Sequence, residues 1–444
     1  MAGRTGLARP YAIVLRSSLH MRTVRTGKAR VTAKADIVVV GAGIVGVSAA
    51  IHLARRGRRV RLLDRREPGE ETSYGNAGVI EGGTYVPMAM PFSPAELMRY
   101  ACNDRPEMRF HWRFLPTIMP WLVRLALNST EAKLRRNGGA VMALLAHAIG
   151  EHKSLMREAG AEGFLRETGW IRLYRSEKGY AGGELERRIA REGGFGYTAM
   201  TRDETLELEP QLTGDFYRAD HWHDIASLSD PGRVTKAYAS LLMRYGSDFV
   251  RGEVRRLVPV DGGWRVEIGD GALVAGEVVV AAGPWSMDLL CPLGYRLPFA
   301  VKRGYHTHYR PAGNATLGRP VVDSAYGYCM TPMLRGIRIT TGVEFADRDA
   351  PPTPSQVKAV EPHARELFPL GEMVDDEPWM GRRPCFPDTL PVVGPAPRHR
   401  GLWLDFGHAH LGMTLGPITG RLLAELMTGE TPVVDPAPYA ATRF

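Results

Sequence analysis

From Ala35 the chain reads ADIVVV, an unbroken apolar and β-branched run of the kind buried on both faces of a parallel sheet. GAGIVG follows at once, and VSAAIHLARRG then keeps helical periodicity as far as Gly57, a natural C-cap. A second short strand, RVRLLD, ends on Asp64, eighteen residues after Gly46. Together these segments predict a complete βαβ unit. Farther on, RGEVRRLVPVDGGWRVEIGDGALVAGEVVVAAGPWS alternates like a meander and then turns continuously apolar, so EVVVAAG is expected to return to the parallel sheet. The segment FLPTIMPWLVRLAL (114–127) predicts a core or surface-docking helix, since two prolines and Arg124 interrupt it as a membrane span. The last glycine cluster, GHAHLGMTLGPITG (407–420), reads as a loop that runs into the helical pattern RLLAELMTG.

Spacing assigns roles in the first glycine loop. Gly41 permits the tight turn, Gly43 lets the backbone approach a pyrophosphate, and Gly46 lets the helix pack against the strand. Ala42, Ile44 and Val45 complete the turn and offer helix-end N–H groups to phosphates. Asp64 can accept hydrogen bonds from a ribose. Arg65 and Arg66 raise the alternative of an NADP 2′-phosphate, which Asp64 at the strand tip would repel, and they read rather as a solvated basic edge. After the second strand comes ETSYGNAGVI (71–80), a small-residue loop whose amides can meet a large planar ligand.

On these residues the sequence resembles the FAD-dependent D-amino-acid oxidase and dehydrogenase superfamily, most closely the bacterial D-amino-acid dehydrogenase small-subunit group. The resemblance implies FAD as cofactor, with Thr72, Ser73, Asn76, Ala77, Gly78 and Val79 running past the pyrophosphate to the flavin ring. It places Val254 at the adenine, Ala282, Gly283 and Trp285 along the dinucleotide, and Gly407 and His408 in the last loop. Gly412, Met413 and Thr414 would then offer N–H groups to the flavin N1 and C2 carbonyl region, where a reduced flavin gathers negative charge. Arg383 in GRRP matches the family's carboxylate-binding arginine, a planar fork suited to that anion, and Arg382 would face the other side of the strand. Tyr326, with Tyr328 as its neighbour, would complete the carboxylate clamp, and His410 could face the substrate. Tyr305 and His306 are weaker candidates, and His408 reads as structural. No side-chain base is assigned, because hydride transfer from Cα to flavin N5 needs none.

The resemblance covers nearly all of 35–429, loosely over 92–228, and implies an α/β (α+β) fold: a doubly wound Rossmann-like FAD domain with an interleaved mixed-sheet substrate domain. Residues 35–90, 228–285 and 381–444 are expected in the first, and 91–227 and 286–380 in the second. The chain has 444 residues, 44% apolar and 24% charged, which is enough for two cores and excludes disorder as the default. Residues 1–34 hold eight bases and no acid, so without them the formal charge of +9 falls to about +1 and nucleic acid is not an expected partner. That leader reads as a transit peptide or as an upstream extension with Met21 as the true start.

Cys102, Cys291, Cys329 and Cys385 form no C-x-x-C pair, and a reducing, cytoplasmic compartment fits. HWH, HTH and HAH lack metal-site spacing and carboxylate company, so no metal is assigned. No second G-x-G-x-x-G occurs, which disfavours pyridine-nucleotide reductases. The reaction implied is oxidation of D-amino acids, including cyclic ones such as D-proline or hydroxy-D-proline, with a quinone or partner protein as electron acceptor and peripheral contact with the inner face of a membrane through the Trp112–Trp121 region. A glycine or sarcosine oxidase, or a flavoprotein subunit of a hetero-oligomer, are the alternatives. The absence of cysteine from HAHLGM argues against covalent FAD there.

Overall fold

The run Ala35–Val40 is a central strand because both of its faces find a core: Ile37 and Val39 point into one apolar cluster, Val38 and Val40 into another. It pairs in parallel with Val60–Asp64 and with the strand Gly271–Val280. In this computed structural model residues 35–83, 85–90, 93, 98–100, 102–103 and 105–444 are described, so the basic leader 1–34 lies outside the described residues. Gly271–Val280 closes the expected meander with Val254–Val260 and Gly263–Ile268, then continues into the parallel sheet beside Leu402–Phe406.

The helix Ile44–Arg55 follows the glycine turn and is crossed by a C-terminal helix, Gly412–Thr428. That second helix begins earlier than its sequence pattern suggests. The reason is contact: a Cβ on Gly420 would lie 2.6 Å from the Ala49 nitrogen, and one on Gly416 would lie 3.3 Å from the Ile44 carbonyl carbon. Two glycines expected to serve as loop therefore serve helix–helix approach.

The second sheet is built around the long strand Ala300–Pro311, antiparallel to Gly336–Thr340 and to Trp379–Cys385. The helix Ser355–Leu367 covers its outer face, packing Val360, Ala364 and Leu367 with Tyr309, Tyr328 and Ile339. Its inner face looks toward the cofactor side. Two elements cross the expected division of the chain. Trp379–Cys385 pairs in this second sheet, so Gly381 is not a boundary. The helix Glu131–Ala159 sends Val141, Leu144, Leu155 and Met156 into the core of the Ile44–Arg55 and Gly412–Thr428 helices, because its apolar face fits that surface. The small strands Val79–Glu81, Leu165–Arg166 and Ile225–Leu228 join the two sides. Among the described residues no helix is long and apolar enough to cross a membrane.

Candidate active site

One cavity of about 800 Å³ runs between the two sheets. Its nucleotide end is the GAGIVG turn. Gly41 sits at φ +112°, and a Cβ there would fall 2.3 Å from the Ala281 oxygen. Gly46 does not line the cavity: a Cβ would meet the Gly41 oxygen at 1.9 Å, so this glycine fixes how closely helix meets turn. Ala42 also lies behind the wall, donating its N–H to Asp64 Oδ2 at 2.7 Å. Ser73 Oγ accepts from the Ile44 amide at 2.9 Å, while Gly43, at the N-cap position, has no side chain to cap the helix. Gly43, Val45, Thr72, Ala282, Gly283 and the start of the Val254 strand face the same channel. Burial raises the Asp64 carboxyl above its usual range.

Arg65 is more than a solvated edge. It pairs with Glu71 at 2.7 Å and lies 4.0 Å over the Trp285 ring, and all three line the cavity near Asp64. These groups fit a dinucleotide: a glycine turn at a positive helix start for the phosphates, and an acid at the second strand tip for the ribose.

At the far end Asn76 Oδ1 accepts from Gly78 N at 2.7 Å and shapes the small-residue loop. Gly78, at φ +74°, is a turn residue behind the wall, whereas Ala77 and Val79 line it. The helix Gly412–Thr428 also starts without a side-chain cap or an acid in its first turn. Gly412 and Thr414 border the cavity, and the Met413 side chain is buried in the core instead. Their first-turn amides have the positive potential that an electron-rich ring edge needs. His408 is held by Thr419 Oγ1 at 3.0 Å and Asp405 at 3.4 Å, a supporting role for the Gly407 turn.

Arg383 projects from Trp379–Cys385 into the cavity and lies across Gly304, where a Cβ would come within 2.4 Å of its guanidinium. It donates to the Thr341 and Gly342 carbonyls at 3.0 and 2.6 Å. It makes no ion pair among the described residues, and burial holds its pKa below the ordinary arginine value. A half-buried guanidinium with donors to spare and no counter-ion is suited to receive an anion. His410 opens onto the same space. Its enclosure, with Lys302 and Arg383 adding to the effect, pushes it down to about 3, so it is neutral at working pH. Arg382, as expected, faces away, donating to the Arg348 carbonyl at 2.9 Å.

The tyrosines are placed differently from expectation. Tyr326 is outside the cavity, stacked on His363 with ring centres 3.5 Å apart beneath Arg175. It belongs to the turn before Tyr328–Met333 and faces the covering helix. Tyr328 borders the cavity but its ring is buried in the outer core, where burial and Asp323 raise the phenol far above its usual value. Neither is positioned as a carboxylate clamp. Tyr305 turns its hydroxyl to Glu344 at 2.7 Å, on the outer face.

Several lining residues carried no recognisable sequence signal. Trp379 is wedged against Gly75 and Gly381, where Cβ atoms would fall 1.8 and 2.6 Å from its ring, and stacks on His306 at 5.0 Å. Only the glycine in SYGN hinted at such an approach. Tyr85 lies with its ring 6.0 Å from that of His410. Glu81 opens onto the cavity with no hydrogen bond to its carboxyl among the described residues, and burial and the nearby Glu186 raise it to about 7. Since the folded carboxyl takes up its proton above the ordinary 4.5, stability is fullest at or below that pH and falls as pH rises toward 7. In the FAD-free protein, Glu81→Gln should therefore flatten the decline of Tm over that window, which a pH series of melting curves measures.

The HTH histidines do find carboxylate company in three dimensions: His306, His308 and Asp375 could hold a metal ion. Their existing partners describe an ion-pair network instead. His308 contacts Asp375 at 2.7 Å and accepts from Arg338 at 3.0 Å, and Arg335 pairs with Asp375 at 2.9 Å.

A family model described as FAD dependent oxidoreductase (DAO) matches residues 36–426. The chain is 30% identical to a D-amino-acid oxidase of Bradyrhizobium diazoefficiens, over 92% of this chain and 98% of that protein. It is also 30% identical to a D-amino acid dehydrogenase of Cereibacter sphaeroides, over 92% and 95%. Among solved structures, glycine oxidase from Geobacillus kaustophilus superposes with a TM-score of 0.71 at 24% identity, covering 93% of this chain and all of that one. L-proline dehydrogenase from P. horikoshii gives 0.69 at 20%, covering 93% and 98%. The chain belongs to the DAO family of FAD-dependent oxidoreductases. It is an FAD enzyme that oxidises amino acids.

Proposed function

We propose that the protein is a D-amino-acid dehydrogenase, binding the substrate α-carboxylate at Arg383 and oxidising the Cα–N bond to an imine that hydrolyses when acyclic. The observation that carries this reading is the unpaired, half-buried Arg383 guanidinium on the cavity wall, pinned by two carbonyls and crossing a glycine that leaves it room. Bound FAD supplies the two-electron sink. The protein's part is orientation: Arg383 fixes the carboxylate, and neutral His410 neither competes for it nor repels the amine. The D-amino-acid enzymes among the relatives support the stereochemistry. Cyclic substrates such as D-proline and hydroxy-D-proline fall within this reading.

An anaerobic titration of the FAD-loaded protein with D-proline, cis-4-hydroxy-D-proline, D-alanine and sarcosine tests it. Bleaching of the flavin by D- but not L-isomers is expected. Bleaching by sarcosine alone would replace the reading with a glycine or sarcosine oxidase, and peroxide release in air would identify oxygen as acceptor.

We further propose that electrons leave to a membrane quinone or partner protein. The helix Leu115–Leu127 supports this: Met119, Val123 and Leu127 are 43, 52 and 61% exposed along one side, with Trp112 52% exposed at its start. Arg109, Arg113 and Arg124 accompany them, and no acid lies between Glu107 and Glu131. Co-sedimentation with anionic vesicles is expected, and Met119→Glu with Val123→Glu should together weaken it roughly thirtyfold, at about 1 kcal/mol for burying each such group. Unchanged sedimentation would remove the membrane from the proposal.

A further inference from the structure

The cavity holds a second uncompensated charge, of opposite sign to Arg383. Glu81 lines it from the strand Val79–Glu81, and no hydrogen bond or ion pair reaches its carboxyl among the described residues. The neighbouring Arg172 is already bound to Glu186, so the three groups together carry one net negative charge when Glu81 is ionised. Around them stand Trp170, with the Arg172 guanidinium 5.4 Å from its ring centre, and Trp222, stacked on Tyr197; the two indoles lie opposite one another in the paired strands and pack with Val79 and Ile225, and each has a second ring face. A carboxylate beside indole faces is the chemistry that recognises an organic cation.

This compartment is continuous with the Arg383 end. Tyr85 is within the electrostatic reach of Glu81 and packs near His410, which in turn feels Arg383. All five of these groups, from Glu81 through Tyr85 and His410 to Arg383 with Trp170 beside them, line the one cavity.

We infer that the enzyme selects amino acids whose side chain ends in an ammonium or guanidinium, with Arg383 taking the α-carboxylate and Glu81 the distal cation. The inference rests on the reading of Arg383 as carboxylate anchor. A five-membered ring such as D-proline brings no such cation, so it would be a slower substrate than D-lysine or D-arginine. The arrangement also explains a buried carboxyl that the fold leaves unpartnered, since a bound cation restores its charge balance.

The test compares the FAD-loaded wild type and Glu81→Gln on D-lysine and its neutral isostere D-norleucine. A wild-type kcat/KM ratio of roughly tenfold or more in favour of D-lysine, collapsing toward one in the variant, is the expected result. An unchanged ratio in the variant, or no preference in the wild type, would overturn the inference. Equal losses on both substrates would also overturn it, assigning Glu81 to the shared amine. Calorimetry with 6-aminohexanoate and hexanoate, which need no turnover, separates this from the wider reading. If neither amino acid reduces the flavin, the proposed reaction fails, while tighter binding of 6-aminohexanoate that Glu81→Gln abolishes still establishes the cation site.

Discussion

Replacing Arg383 by methionine is expected to lower kcat/KM for every amino acid substrate by about a thousandfold while FAD remains bound. On the proposed reading the guanidinium meets the substrate and not the nucleotide end of the cavity, so the cofactor should be retained and its absorbance should report full occupancy. The loss has two sources. The substrate carboxylate would enter a buried site without a counter-charge, and the Cα–H would lose its fixed aim. Removing a cation that burial already disfavours should leave Tm within a few degrees of wild type, because only the bonds to Thr341 and Gly342 are given up. Arg383→Lys keeps the charge but not the two-pronged geometry, and should recover only part of the rate. Steady-state kinetics with flavin quantification decides the matter: loss of FAD together with rate would mean a structural arginine, and near-wild-type turnover would remove it from the site.

The second large effect separates two glycines of the same motif. Gly46→Ala would drive a methyl to within 1.9 Å of the Gly41 oxygen, a backbone atom of the turn that cannot step aside. A destabilisation of about 3 kcal/mol or more is expected, with little soluble, FAD-loaded protein. Gly43→Ala meets only the Ser73 hydroxyl, at 3.2 Å, and its backbone at φ −71° suits alanine. The apoprotein should melt near the wild-type temperature, while FAD binding should weaken by about 2 kcal/mol, roughly thirtyfold, because the methyl would enter the part of the cavity proposed for the pyrophosphate. Thermal melts of apoprotein beside FAD titrations would show the split, and equal behaviour of the two variants would reject it.

The contrast shows which parts of the site were legible in the chain. A glycine fingerprint between a buried strand and a helix has a fixed local spacing, which is enough to pick out Gly41, Gly43, Gly46 and Asp64, although Gly41 and Gly46 also pack against the distant Ala281. Arg383 was found through the resemblance, and strand alternation correctly turned Arg382 away from it. The tyrosines failed for a specific reason. Tyr326 and Tyr328 share a parity, but the covering helix Ser355–Leu367 lies on the face they take, and nothing near them in sequence says which face that helix covers. His306, His308 and Asp375 likewise meet only because the bend after Leu370–Met373 is brought against the strand Ala300–Pro311.

Gly416 and Gly420 make the same point from the other direction. Their density suggested a loop that ligates a flavin, yet they let the Gly412–Thr428 helix lie against Ile44–Arg55, and only the start of that helix faces the cavity. The sequence by itself determined the cofactor class and the βαβ unit and singled out Arg383 as the candidate carboxylate anchor, because each is encoded in short-range spacing or in a motif. Tertiary structure decided what shares the cavity with Arg383: Trp379 against Gly75, His410 beside Lys302, and Glu81 among tryptophans from two other strands. Those neighbours come from segments tens to hundreds of residues apart, and the charge of a pocket is a property of what the fold leaves unpaired.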